Sequence, residues 1–335
     1  MEVYETSTDK NVVASPLGVL TLLSLYAAGS EGENREEIMK LLGFTDYTEL
    51  LKSYSVLTDR FASMDPSYLN LASKVFVSDK YALNDNFPKT ARSLNTESSK
   101  NTHGKISHPM SASDIDTAAA VALFNVIFFQ GHWHVPFNAS ETKEQEFHTS
   151  RGTSVKKPMM HLLQPLHYYK DKDIGARMIE LPYKEDKFRM VVVLPDDVEG
   201  LPEVVRKISE KGMLEYVFKL HPANAEVDLD MPKFEIKSKH DFNDVLAKVG
   251  VSSIFHTPAT GIVKDHGVVV DKVFQDAFVK VDEEGATAGA FTGLVAVPMS
   301  SISRPRPPIS FKVDRPFLYA ILHDDIILFA GTYSS

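Results

Sequence analysis

The chain has 335 residues, of which 43% are hydrophobic, and this is enough to bury a large core. Its formal net charge of -9 at pH 7 argues against nucleic acid or an anionic membrane as a partner. The absence of cysteine excludes disulfide bonds, thiolate metal sites and thiol nucleophiles.

No linker rich in proline, glycine or serine divides the sequence, which predicts a single domain over residues 1–335. The first apolar run, residues 17–28, is interrupted by Thr21, Ser24 and Tyr26 and is too short to cross a bilayer. It also lacks the basic front end of a signal peptide. We expect an extracellular protein whose signal peptide is absent from this sequence, with a cytosolic location as the alternative.

Three helices are predicted near the start of the chain. Ser15 is a good helix cap, Pro16 suits the first helical position, and Gly29 ends the helix. Helical spacing of apolar residues over 34–42 and 48–62 predicts two further helices on the surface of the core.

Two strands follow, separated by a polar segment. Alternating apolar residues over 68–77 predict the first strand. A continuous apolar stretch with one asparagine, residues 117–129, predicts a strand that is buried on both faces. The segment between them, residues 87–106, is polar and only weakly periodic.

The second half of the chain mixes strands and helices. Strand patterns occur at residues 187–195, 227–231 and 311–330, and helical patterns occur at 201–208 and 240–249. This order predicts an α+β protein.

The segment from Val273 to Ser303 changes character in its middle. A strand pattern runs up to Asp282, and the sequence Glu283-Glu284-Gly285 breaks it. Small residues follow, and a period of two places one set on a common face: Ala286, Ala288, Ala290, Thr292, Leu294 and Ala296. Because both faces of this stretch lack charge, it can enter a sheet without burying an ion.

This segment closely resembles the reactive-centre loop of serpins, and similar motifs occur along nearly the whole chain in the family's order. They begin at Asn11, Phe124, Pro158, Val193, Pro232, Asp314 and Leu328. The resemblance implies a serpin fold with a large mixed main sheet, further sheets and several surface helices. A typical serpin has more chain around residues 87–106, so we expect the helix that crosses the main sheet to be shortened or lost. That loss would leave room for the bulky ring of Phe291, which lies on the opposite face of the loop from Ala290 and Thr292 and would meet that helix in a typical serpin.

The resemblance also implies the site residues. The reactive-centre loop covers about 284–304, with the reactive bond between Met299 and Ser300. The hinge residues are Glu283, Gly285, Ala286, Thr287, Ala288, Gly289, Ala290 and Thr292.

The resemblance places three residues in the buried polar cluster beneath the sheet, called the shutter: Ser15, Asn125 and Gln275. It places Trp133 at the top of the sheet, called the breach. Ser15 and Asn125 fit equally well a plain helix cap and a satisfied core amide. Gly18 stands where the family often has a second serine, and Gln275 where it often has histidine.

The function implied is that of a suicide inhibitor, which traps a serine endopeptidase as an acyl-enzyme by inserting its loop into the main sheet. Met299-Ser300 suits a chymotrypsin-like or elastase-like protease. Arg304 and Arg306 would suit trypsin, but each is followed by proline, which resists cleavage. A papain-like cysteine protease as target, and a non-inhibitory carrier or storage role, are the alternatives. We expect a monomer without cofactors. The sequence contains no Gly-x-Ser-x-Gly or His-Glu-x-x-His motif, so we expect that the protein is not an enzyme.

Two short motifs occur between residues 132 and 140. His132-Trp133-His134 would place two imidazoles on one face of a strand, but no further ligand spacing accompanies it, so we predict no metal site. Asn138-Ala139-Ser140 is an acceptor sequence for N-glycosylation.

Overall fold

The computed structural model describes residues 11–62, 64, 69–78, 80–85, 87, 121–185, 187–264, 267–284 and 306–335. Its helices are α1 (Pro16–Ala28), α2 (Glu33–Leu42), α3 (Tyr47–Ala62), α4 (Leu201–Lys211), α5 (Met213–Val217) and α6 (Asn243–Lys248), with 3-10 turns at Ala139–Glu141 and Ser253–Phe255. The first eight strands are β1 (Val12–Ala14), β2 (Leu69–Val77), β3 (Val121–Phe129), β4 (Lys143–Ser150), β5 (Thr153–Gln164), β6 (His167–Asp171), β7 (Ala176–Pro182) and β8 (Phe188–Pro195). The others are β9 (His221–Pro222), β10 (Val227–Pro232), β11 (Phe234–Asp241), β12 (Val270–Val281), β13 (Ile309–Lys312), β14 (Phe317–His323) and β15 (Ile326–Tyr333).

Helix α1 begins where the sequence predicts. The Ser15 hydroxyl accepts a hydrogen bond from the Gly18 backbone N–H, Pro16 occupies the first helical position, and the chain leaves the helix at Gly29. The residues from Thr21 to Ala27 are buried, so α1 is a core helix and not an amphipathic surface helix.

The main sheet has the strand order β11-β12-β3-β2. Strands β12 and β3 are parallel and directly paired, from Val270 opposite Val121 to Val279 opposite Phe129. Every residue of β3 is buried, which confirms the prediction of a strand covered on both faces.

Two further sheets complete the fold. The larger contains seven strands in the order β1-β15-β14-β8-β7-β6-β9, and the smaller has the order β13-β10-β5-β4. The main hydrophobic core lies where the three sheets meet, and its members include Ile127 of β3, Val279 of β12, Val192 of β8 and Phe311 of β13. Helices α4 and α5 cover the other face of the seven-stranded sheet.

The predicted helix at residues 240–249 is wrong in its first part. His240 is the penultimate residue of β11 and pairs with Gln275 of β12, and α6 begins only at Asn243. Alternating burial along β11 continues the strand past the point where the helical spacing starts. Pairing with β12 therefore overrides the local helical pattern.

The expectation of a shortened helix at 87–106 lies outside the described residues, except for Phe87, which is buried. The outer face of the main sheet, turned away from the core, carries a separate buried cluster formed by Phe124, Val126, Phe128, Phe274 and Phe278. Within the part of the chain that the structure describes, no helix is both long enough and apolar enough to cross a membrane.

Candidate functional site

A row of polar residues crosses the inner face of the main sheet beneath the start of α1. Cross-strand pairing places His240 opposite Gln275, Gln275 opposite Asn125, and Asn125 opposite Ser73. Each of the four strands therefore contributes one polar side chain at the same level. We call Ser15, Gly18, Thr21, Ser73, Asn125 and Gln275 the shutter network.

Gln275 is the centre of the shutter network. Its Oε1 accepts a hydrogen bond from the Ser15 backbone N–H at 2.7 Å. Its Nε2 donates to the Ser15 carbonyl and to Asn125 Oδ1, both at 2.9 Å. Both N–H groups of the amide are thus used, and its side chain ties α1 to two strands of the sheet.

Asn125 continues the network to β2. Its Nδ2 donates to the Ala72 carbonyl and to Ser73 Oγ, both at 3.1 Å. The Thr21 hydroxyl donates to the Gly18 carbonyl at 2.9 Å, so Ser73 is the donor in the 3.1 Å contact between the two hydroxyls. Asn125 and Gln275 are both fully buried, and their polar atoms are all paired.

Gly18 makes room for this network. A Cβ atom at position 18 would lie 2.0 Å from Asn125 Oδ1 and 2.6 Å from Gln275 Nε2. The two departures from the family pattern therefore belong together, because the longer amide of Gln275 and the Asn125 carboxamide occupy the space that a side chain at position 18 would need.

Ser15 joins the network through its backbone. Its hydroxyl makes the cap bond to the Gly18 N–H at 3.0 Å, whereas its N–H and carbonyl bind Gln275. The Ser15 side chain therefore acts as the cap of α1, whereas its main chain belongs to the shutter network.

Trp133 lies at the end of the main sheet where β12 leaves it. The indole stacks on Tyr183 with ring centroids 4.4 Å apart, and its Nε1–H donates to the Asp282 carbonyl at 2.8 Å. The Trp133 backbone N–H donates to the Glu284 carbonyl at 3.3 Å, and that of Phe137 donates to the Glu283 carbonyl at 2.8 Å. These bonds fix the last described residues before position 285.

The Glu283 side chain completes this contact. Thr142 Oγ1 donates to its Oε1 at 2.8 Å, and Lys233 Nζ lies 2.7 Å from its Oε2. Burial raises the pKa of the carboxyl, but the hydrogen bonds from Lys233 and Thr142 outweigh burial, so the pKa of Glu283 lies below its ordinary value. We call Trp133, Phe137, Thr142, Lys233 and Glu283 the latch.

The sequence prediction found Trp133 and Glu283 but missed three members of the latch: Phe137, Thr142 and Lys233. The one available signal for Lys233 is its place beside Pro232 in a recognised motif. Phe137 acts through its backbone and Thr142 through a common hydroxyl, so neither carries a distinctive sequence signal.

The expectation that His132 and His134 lie on one face of a strand is wrong. Trp133 between them forms only an isolated bridge with Tyr183, outside the named strands. His132 Nδ1 lies 2.9 Å from Glu185 Oε1, whereas His134 is exposed. The pairing is confined to this one bridge, where the His134 N–H donates to the Pro182 carbonyl at 3.0 Å and the Lys184 N–H donates to the His132 carbonyl at 2.6 Å.

The other hinge residues and the reactive bond lie outside the described residues: Gly285, Ala286, Thr287, Ala288, Gly289, Ala290, Thr292, Met299 and Ser300. The described chain stops at Glu284, which is bound to Trp133, and resumes at Arg306, whose Nη1 donates to the Asn224 carbonyl at 3.4 Å. The segment 285–305 therefore connects the end of β12 in the main sheet with β13, an edge strand of the smaller sheet.

Comparisons with known proteins agree with one another over nearly the whole chain. A family model described as Serpin (serine protease inhibitor) matches residues 1–98 and 88–335. Antitrypsin of Bombyx mori is 31% identical, and the match covers 99% of this chain and 90% of that protein. Antichymotrypsin-2 of Bombyx mori is 30% identical, with 99% and 94% covered. Among solved structures, Serpin48 of the insect Tenebrio molitor is 29% identical with a TM-score of 0.83, and the match covers 100% of this chain and 94% of that one.

Proposed function

Because this chain belongs to the serpin family, we propose that it inhibits a serine endopeptidase as a suicide substrate, with the reactive bond at Met299-Ser300. Loop insertion after cleavage is the established behaviour of inhibitory serpins. The observation that carries the proposal is the direct parallel pairing of β3 with β12, while the chain that follows β12 carries a strand-like row of small residues.

The strand directions favour insertion. A segment that continues from β12 and folds back runs antiparallel to β12, and it also runs antiparallel to β3 because the two strands are parallel. Insertion replaces one parallel ladder with two antiparallel ladders, which pair slightly better per residue. The new strand also buries the face formed by Ala286, Ala288 and Ala290.

The dimensions fit this movement. Residues 285–298 span roughly 46 Å when extended at about 3.3 Å per residue. Strand β12 has 12 residues, or roughly 40 Å at the same rise. An acyl-enzyme carried over such a distance is pulled against the body of the inhibitor. Displacing catalytic groups by even ~1 Å can cost ~100-fold in rate, so deacylation stops.

The latch and the shutter network hold the sheet closed before cleavage. A new strand must separate Gln275 from Asn125 and so break their 2.9 Å hydrogen bond. It must also release the Glu284 carbonyl from Trp133 and the Glu283 carbonyl from Phe137. These contacts supply part of the kinetic barrier that keeps the uncleaved form from inserting its own loop.

The most direct test mixes the protein with a chymotrypsin-like, an elastase-like and a papain-like protease. We expect a denaturant-resistant complex with a serine protease, and a new N-terminus at Ser300 by mass spectrometry. A complex with the papain-like enzyme alone would move the target to that class. Cleavage without a complex and without a rise in melting temperature would instead support a carrier or storage role.

Substitution in the hinge separates cleavage from trapping. Ala288→Arg places a charge on the face that becomes buried, at a cost of several kcal/mol if it stays unpaired. We expect cleavage to continue and trapping to fail. Ala288→Val adds volume without charge and is the matched control, which should trap far better. Full trapping by the arginine variant would contradict the assigned facing of the inserted strand.

We also propose that the protein is an extracellular monomer that acts on its target in a one-to-one complex. The mass of the covalent complex checks the stoichiometry directly, and light scattering on the free protein checks the monomer.

A further inference from the structure

Asn138-Ala139-Ser140 is the one Asn-X-Ser/Thr acceptor sequence, with X other than proline, among all 335 residues. None of the contacts that hold the sheet closed uses its side chains. A single acceptor sequence gives a simple test, because any N-linked carbohydrate on the protein must lie there.

The local geometry leaves the acceptor atom available. Asn138 is exposed and caps the 3-10 turn Ala139–Glu141. Its Oδ1 accepts hydrogen bonds from the Ser140 N–H at 3.1 Å and from the Ser140 hydroxyl at 2.8 Å. The structural role of the amide therefore uses its oxygen alone, and a sugar attached to Nδ2 leaves the cap in place.

The turn also has a particular position. Phe137 precedes Asn138 and binds the Glu283 carbonyl, and Thr142 follows the turn and binds the Glu283 carboxylate. The acceptor asparagine is thus held on a short loop whose two ends both contact the last described hinge residue. A modification of Asn138 would therefore lie beside the end of the main sheet where β12 leaves it.

We propose that Asn138 carries an N-linked oligosaccharide that covers the latch from the solvent side. The proposal rests on the extracellular location given above, but not on inhibition itself. The chain's own loop continues from Glu284, whose carbonyl accepts the Trp133 N–H of the latch. The loop that holds Asn138 contacts Glu283 on both sides of the turn, so we expect an oligosaccharide there to hinder a strand that another molecule brings to this end of the sheet.

The first experiment measures occupancy. The full chain is secreted from eukaryotic cells behind an added signal peptide, and its intact mass is determined before and after treatment with peptide N-glycosidase. We expect one glycan on the wild type and on Ser140→Thr, and none on Ser140→Ala or Asn138→Asp. Asn138→Asp is the matched control, because its carboxylate preserves the acceptor of the cap. Folded, secreted wild type without carbohydrate at Asn138 would overturn the proposal.

The second experiment measures the shielding. A synthetic peptide with the sequence of residues 285–298 is added to the glycosylated wild type and to Asn138→Asp, and its uptake is followed by native gel and by the fluorescence of Trp133, the single tryptophan. We expect uptake to be several-fold slower in the glycosylated protein. Equal rates would refute the shielding. Protease trapping, measured on the same samples, should be unchanged by the variant, so failure of the inhibitory function is distinguished from failure of this proposal.

Discussion

The shutter network and the latch both resist separation of the same two strands, but by different chemistry. The shutter network is neutral, and its amides and hydroxyls are buried with their hydrogen bonds made inside the protein. The latch contains an ion pair in which Lys233 keeps 37% of its side chain exposed while Glu283 keeps 11%.

This difference implies an order of opening. Lys233 is partly exposed, so water can solvate its ammonium group when the ion pair opens, although the Glu283 carboxylate is buried. One partner in the latch therefore regains hydration on opening, which lowers the cost of breaking the pair. Buried amides lose their bonds without replacement, at roughly 1–3 kcal/mol for each group left unpaired. We therefore expect insertion to begin at the latch and to be limited by the shutter network.

The largest expected effect follows from removing the central amide. Gln275→Leu keeps the approximate volume but leaves the Ser15 N–H and Asn125 Oδ1 without their partner, whereas the Ser15 carbonyl keeps its bond from the Val19 N–H. We expect a loss of several kcal/mol in the free energy of unfolding of the uncleaved protein, at roughly 1–3 kcal/mol per group. Urea unfolding measures it, and a loss below that of Lys233→Met would invert the comparison.

The next effect tests the space at position 18. Gly18→Ala forces a Cβ toward Asn125 Oδ1, so overpacking should destabilise the protein by roughly 1–3 kcal/mol. In the double variant with Asn125→Ala, the nearer of the two obstructing amides is gone and only that of Gln275 remains, so the combined loss should be smaller than the sum of the two single losses. Additive losses in the double-mutant cycle would show that position 18 and the Asn125 side chain are independent.

A smaller effect is expected at the latch. Lys233→Met keeps an apolar stem and leaves the buried Glu283 carboxylate with the Thr142 hydroxyl as a donor, so it should destabilise the protein less than Gln275→Leu does. Because the latch opens first, the change should appear mainly as faster uptake of a loop peptide, reported by Trp133 fluorescence. Lys237→Met, at an exposed lysine of β11, is the matched control and should leave the uptake rate unchanged.

Acid should weaken the latch in a defined range. The pKa of Glu283 is lowered in the folded protein from an ordinary value of 4.5, so its stabilising effect is complete above that value and is lost as the pH falls through the folded pKa. Peptide uptake should therefore accelerate below about pH 4.5. Glu283→Gln should remove most of this acceleration, and an identical pH profile in that variant would assign the acid effect to another group.

The smallest effect concerns the titratable neighbour of the shutter network. Burial lowers the pKa of His240, although its Nε2–H bond to the Val13 carbonyl at 2.8 Å opposes the shift. Its neutral form therefore favours the folded state above the ordinary histidine pKa, about 6.5, and this contribution is lost as the pH falls through the folded pKa. His240→Gln keeps a donor without a charge and should unfold with a shallower dependence on pH between 7 and 5.

Local sequence signals were sufficient wherever neighbouring residues decide the structure. Ser15 and Pro16 begin α1 as predicted, because a cap and a fixed φ act within one turn. The continuous apolar run ending at Phe129 forms a strand buried on both faces, because such a run can be satisfied only inside a protein. The motifs along the chain also identified the family correctly.

Only the tertiary structure decided which residues act together. Ser15 and Gln275 are 260 positions apart in the sequence, and no local pattern pairs them. Pairing of β11 with β12 kept His240 in a strand against its helical spacing, and the packed amides explain why position 18 is glycine. Local preferences amount to only fractions of a kcal/mol per residue, whereas strand pairing and close packing act across the whole sheet and therefore prevail.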